Sequence, residues 1–135
     1  MSSETSKAVI QAWFDHLARG DVATAMGLMA QDIRYTLIGT SPLSGTFVGM
    51  EEVSNKLLGP LFERLEAPIA FTLRELIAEG ERVVALARGH AKGRHGPYDN
   101  TYCFVFSVKD GAIVSLEEYM DTVLVETALY GRTLV

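Results

Sequence analysis

The sequence predicts an α+β domain in which helices pack on one face of a curved antiparallel sheet. Two observations carry this expectation. Apolar residues recur at helical spacing over the N-terminal part of the chain, and long alternating, β-rich runs follow after position 69. A third observation ties the last two runs together: Tyr102–Val108 and Ala112–Met120 flank Lys109-Asp110-Gly111, a strong hairpin signal.

With 135 residues the chain fits one domain spanning 1–135. A chain of this size buries roughly two thirds of its unfolded surface. The formal charge of −5, with scattered basic residues, argues against nucleic acid or an anionic membrane as partner. A single cysteine, Cys103, excludes an internal disulfide and suits a reducing compartment. No apolar run approaches the ~20 residues needed to span a bilayer. A soluble cytoplasmic protein is the expectation.

Ser3 or Thr5 caps a first helix reaching about Arg19, with Val9, Ala12, Trp13, Phe14 and Leu17 on its apolar face and Gly20 as its stop. Asp21 caps a short second helix in which Val22, Ala25, Met26 and Met29 share a face. Ile33, Tyr35 and Leu37 alternate with polar residues and predict a strand, closed by the Gly39–Gly45 loop. A third helix covers about Met50 to Leu65, burying Val53, Leu57, Leu58, Leu61 and Phe62, with Gly59-Pro60 dividing or kinking it.

Strands follow at about Ile69 to Ala78 and Arg82 to Lys92. The second has Val83, Ala85, Ala87, Gly89 and Ala91 on one face, and Val84, Leu86, Arg88, His90 and Lys92 on the other. Neither face is clearly solvent-directed, so a sheet covered on both sides is expected. The small-residue row suggests close approach of a second sheet or subunit, hence a homodimer through the sheet.

In the final hairpin, a two-residue Asp110-Gly111 loop mixes polar and apolar residues on both faces. A Val108–Gly111 turn with a bulge instead pairs Phe106 with Val114, Phe104 with Leu116, Tyr102 with Glu118 and Asn100 with Met120. That register keeps the apolar set together and is preferred. Glu118 then ends an apolar wall. A curved sheet closed by helices forms a cone whose interior suits a small hydrophobic molecule.

The alternation groups Arg88, His90, Asn100, Tyr102 and Glu118, with Tyr35 joining from the first strand. Glu118 and His90 are candidates for proton transfer, while Arg88 or Tyr102 would stabilise a developing oxyanion. Trp13, Leu37, Phe62, Phe104, Leu116 and Met120, with Asn100 and Tyr102, are candidate substrate contacts. The same residues also admit structural readings: Glu118 and Arg88 as an ion pair, Tyr35 and Tyr102 as wall residues, and Asp121 as the cap of a C-terminal helical segment. His16, His90 and His95 lack metal-ligand spacing, and no phosphate-cradling glycine pattern occurs, so neither metal nor cofactor is expected.

The helix-helix-strand-helix order, the segment FDHLARGDVATAMGLMAQDIRY, the F-x-G at Phe47–Gly49 and the final DGAIVSLEEYMDT together resemble the nuclear transport factor 2-like superfamily. Within it the chain is similar to the ketosteroid isomerase-like branch of polyketide cyclases and limonene epoxide hydrolase. The resemblance covers nearly the whole chain. It implies a cone-shaped, cystatin-like α+β barrel, usually dimeric, with the site inside the cone.

The epoxide hydrolase's Arg-x-Asp corresponds to Arg88-Gly89-His90, its second aspartate to Glu118, and its Tyr-x-Asn to Tyr35-Thr36-Leu37. The proton-abstracting aspartate of the ketosteroid isomerase falls near Leu37, and the cyclases' terminal aspartate corresponds to Asp121. With His90 and Leu37 in place of two acting residues, neither the hydrolase nor the isomerase mechanism carries over whole. The expectation is a cofactor-independent isomerase, cyclase or hydratase/hydrolase acting on a carbonyl, enol or epoxide. Its alternatives are a noncatalytic lipophile-binding domain and a dimerisation domain.

Overall fold

The computed structural model describes residues 2–135. Helix α1 (Ser3–Ala18) is capped by Ser2, one residue before the expected caps, whose hydroxyl accepts the Thr5 N–H at 3.1 Å. Ile10, Trp13 and Phe14 form its buried face. Gly20 takes a positive φ of 74° and releases the chain into α2 (Val22–Gly27), capped by the Asp21 carboxylate on the Thr24 N–H. Met29, expected on that helix, instead opens strand β1 (Met29–Leu37).

After the Gly39–Gly45 loop, β2 (Gly45–Val48) runs back antiparallel to β1, where the sequence suggested only a lead into the next helix. The third helix divides as Gly59-Pro60 requires: Met50–Glu52 is α-helical, Val53–Leu58 is π-helical, and Gly59–Glu63 is α-helical again. The wide π turn makes room for the Pro60 ring at the start of the last segment, where the missing N–H costs least.

Strands β3 (Ala70–Glu79), β4 (Arg82–His90), β7 (Asn100–Lys109) and β8 (Ala112–Tyr119) complete a six-stranded sheet ordered β2-β1-β8-β7-β4-β3. A small ribbon of β5 (Lys92–Gly93) and β6 (Gly96–Pro97) leads into β7. The sheet is curved and antiparallel except for β1–β8, which pair in parallel. Its edges β2 and β3 do not pair, so the barrel stays unclosed.

The β7–β8 hairpin corrects the expected register. Asp110 and Gly111 have φ of 53° and 81°, a two-residue loop of the primed type, and Lys109 lies opposite Ala112. A bulge at Val114 then shifts the ladder, so Phe106 faces Leu116, and Phe104, not Tyr102, faces Glu118. The shift from the expected register is two residues. Because strand side chains alternate with period two, Glu118 remains on the face of Phe104 and Leu116.

Strand β4 requires a larger correction. Ala85 lies opposite Phe104, Ala87 opposite Tyr102, and Gly89 opposite Asn100, so the small-residue row faces inward. The row admits this chain's own rings. A Cβ on Gly89 would come within 2.9 Å of Ile69 Cγ2 and 3.0 Å of Tyr102 Cε1. The close approach ascribed to a second subunit is therefore filled from within. Above the row, Trp13 packs edge-on to Phe14 at 5.0 Å between centroids, and Phe14 to Phe104 at 5.7 Å.

The chain ends in a helical segment, Thr122–Leu124 continued as a π-helix over Val125–Leu129, which buries Val125, Ala128 and Leu129. No helix among the described residues is long and apolar enough to cross a membrane.

Candidate functional site

The inner sheet face does not fill completely against the helices. A cavity of about 380 Å³ remains, bounded by Trp13 and Leu17 of α1, Met26 of α2, Leu58 and Leu61 of the third helix, and Phe104 of β7. That volume is near the lower end for small-molecule sites. The wall carries only one carboxyl, Glu118, and three phenolic hydroxyls, those of Tyr35, Tyr98 and Tyr102.

Glu118 reaches the cavity from β8 beside β1. In the parallel register Leu37 lies next to Glu118 and Tyr35 next to Leu116, which sets Tyr35 and Glu118 diagonally on one face. The Tyr35 hydroxyl donates to Glu118 Oε1 at 2.6 Å, a charge-assisted length. Glu118 keeps some accessible surface, but the groups around it are mostly apolar and solvate a charge poorly. Burial accordingly raises its pKa from 4.5 to about 7, against the opposing effect of the Tyr35 hydrogen bond. Burial, then the nearby Glu118 charge, push Tyr35 well above its ordinary value and keep it protonated. Glu118 can therefore give or take a proton near neutrality, while its neighbour holds it in place.

Tyr98, which the sequence reading did not single out, follows the short β6 strand, where no periodicity marks a side chain's direction. Its N–H donates to the Ala91 carbonyl at 2.9 Å, closing the turn that points the ring inward. Burial raises the pKa of both Tyr98 and Tyr102, so both stay neutral phenols.

Of the residues expected at the site, Glu118, Tyr35, Trp13, Leu37, Phe62, Tyr102 and Phe104 line the cavity. Phe62 does so at the surface, with 47% of its area exposed. Leu116 is fully buried in the core, and Met120 packs against that core, neither in the cavity wall.

Arg88 and His90 do not join the cluster. Both are exposed on the outer sheet face, Arg88 opposite Thr101, and His90 Nδ1 lies 3.3 Å from Asp99 Oδ1. In Arg88-Gly89-His90 the residue facing inward is the glycine. Asn100 is buried, but its side chain serves the backbone: Oδ1 accepts the Thr101 and Asp121 N–H groups at 2.9 and 3.2 Å, and Nδ2 donates to the Asp121 carbonyl at 3.0 Å. The Asp121 carboxylate caps the C-terminal helix, accepting from the Val123 and Leu124 N–H groups at 3.0 and 3.4 Å. Among the described residues no cluster of histidine, cysteine and acidic side chains has the arrangement to hold a metal ion.

Residues 10–116 match the family described as SnoaL-like domain. The chain belongs to the SnoaL-like domain family. No curated protein matches this SnoaL-like chain. Solved structures do. A nuclear transport factor 2-like protein of unknown function from Burkholderia pseudomallei is 22% identical, with a TM-score of 0.82 over 96% of this chain and 98% of that one. A candidate SnoaL-like polyketide cyclase from Jannaschia sp. CCS1 is 17% identical, with a TM-score of 0.75 over 97% and 95%. TerC, co-crystallised with polyporic acid, is 20% identical, with a TM-score of 0.80 over 93% and 98%. At these identities the likeness is one of fold, and it agrees with the nuclear transport factor 2-like architecture of this SnoaL-like domain.

Proposed function

We propose that the chain is a cofactor-independent enzyme of isomerase or cyclase type, in which Glu118 moves a proton on a small hydrophobic carbonyl or enol substrate. One observation carries the reading: the cavity's single carboxyl has a pKa of about 7, set by apolar surroundings and held by the Tyr35 hydroxyl at 2.6 Å. A general base works best when its pKa lies near the operating pH, and burial brings the Glu118 carboxyl there. The apolar walls bind the substrate's body and limit water around the reacting atoms. Arg88 and His90 have no part in this scheme, since both lie outside the cavity. The Jannaschia neighbour, a candidate SnoaL-like polyketide cyclase, and TerC, co-crystallised with polyporic acid, are in keeping with oxygenated, largely apolar ligands.

The test is turnover by the wild type and Glu118→Gln on a panel of enolisable ketones and polyketide-like enols. Positioned acid–base groups contribute typically about 10²–10⁴-fold, so a loss of that order with retained binding is expected. Full activity in Glu118→Gln overturns the proposal. Binding without turnover by the wild type across the panel favours a lipophile-binding domain instead.

A further inference from the structure

We infer that Tyr98 and Tyr102 together form a one-proton donor site for a substrate carbonyl oxygen, placed in the same cavity as Glu118. The hydrogen-bond capacity of the two phenols exceeds what the protein around them uses. The Asn100 amide is oriented by its surroundings: its Oδ1 faces two backbone N–H donors and its Nδ2 faces the Asp121 carbonyl. Nδ2 therefore also donates to the Tyr98 hydroxyl oxygen, 3.3 Å away, and Tyr98 must accept there. The Tyr98 and Tyr102 hydroxyls lie 3.4 Å apart, and their mutual contact uses one of their two protons. Tyr102 is the donor in that contact, so the Tyr98 proton has no acceptor among the described residues. Both rings are nearly fully buried, at 3% exposure each, and both line the cavity. A buried donor without an acceptor is costly, and a ligand oxygen in the cavity would satisfy it.

The acceptor should be a neutral oxygen, since an anionic one would meet the Glu118 charge in the same apolar cavity. A ketone or quinone carbonyl meets that description. The inference rests on the function proposed above only for its chemical consequence. There, the Glu118 carboxylate takes a proton from the carbon beside the carbonyl, and that C–H electron pair becomes the C=C bond of an enolate. The carbonyl π pair moves to the oxygen, which the phenolic O–H stabilises. Where a second C=C is conjugated with the enolate, return of the proton from Glu118 to its far carbon shifts the double bond and restores the carboxylate, so atoms and charge balance without any further reactant.

The test uses 2-acetonaphthone and 2-isopropylnaphthalene, similar in shape and differing by the carbonyl, titrated by calorimetry. The wild type is expected to bind the ketone about tenfold more tightly, the usual effect of one net hydrogen bond. Tyr98→Phe and Tyr102→Phe each leave one hydroxyl and should keep part of that preference, while the double variant should lose it. The infrared C=O stretch of the bound ketone gives a readout that needs no variant, and it should fall below its value in hexane. Glu118→Gln should keep the ketone preference, which separates failure of this site from failure of the catalytic reading. Equal affinities, no ketone binding, an unshifted stretch, or a preference that survives in the double variant overturns the inference.

Discussion

Tyr35 and Glu118 meet across the only parallel strand pair in the sheet, hydroxyl to carboxylate at 2.6 Å, diagonal neighbours on β1 and β8. The bond holds the charged form of an acid whose surroundings favour the neutral one, and the two influences leave Glu118 near pH 7.

Stability should therefore fall with rising pH on account of Glu118. A carboxyl whose pKa is raised on folding holds its proton more tightly in the folded chain. The folded state is undisturbed below 4.5, and the cost of ionising the buried group grows until about 7. The interval from 4.5 to about 7 corresponds to at most about 3 kcal/mol. Urea unfolding from pH 4 to 8 should show Glu118→Gln gaining on the wild type over that interval; parallel pH profiles would contradict the assignment.

Tyr35→Phe removes the hydrogen bond that lowers the Glu118 pKa, leaving burial unopposed. The carboxyl should then titrate above its wild-type midpoint, as read by carbon-13 NMR of labelled glutamate. In the proposed reaction the activity midpoint should move upward with it. A downward or absent change would mean that the hydroxyl does not serve the charged form.

Gly89→Ala should destabilise by about 1–3 kcal/mol, as overpacking does. The added methyl meets Ile69 Cγ2 at 2.9 Å and the Tyr102 ring at 3.0 Å, so one of the two must shift. Denaturant midpoints with unchanged m-values would register the cost. A neutral result would place the small-residue row on the outer face after all.

Asp121→Ala should cost about 1 kcal/mol of stability through loss of the helix cap, recovered by Asp121→Ser. Activity should stay within twofold in both, since the carboxylate accepts from Val123 and Leu124 and is absent from the cavity wall. A loss of turnover without loss of stability would return Asp121 to the chemistry.

Much of this arrangement was legible in the chain itself. Helical spacing marked Trp13 and Phe14 as one buried face, and Gly59-Pro60 marked the break in the third helix. Alternation put Glu118 on the face of Phe104, and that relation survived a register error because the error was an even number of residues. The bulge at Val114 also left a trace in the sequence: Ile113 and Leu116, both fully buried, stand three apart where an unbroken strand would space them by two or four.

Period-two alternation within a strand determines which residues share a face, and local cap and turn chemistry determines where elements begin and end. Neither says which face of β4 turns inward when one is small and the other mixed. The packing decided that: the rings of Phe71, Tyr102 and Phe104 need the depth that Ala85, Ala87 and Gly89 leave, so Arg88 and His90 turn to solvent. The same holds for Tyr98, whose direction is set by a single backbone hydrogen bond to Ala91, and for Tyr35 and Glu118, 83 residues apart and joined only by a parallel pairing. Contacts this distant in sequence exist only after the sheet has assembled.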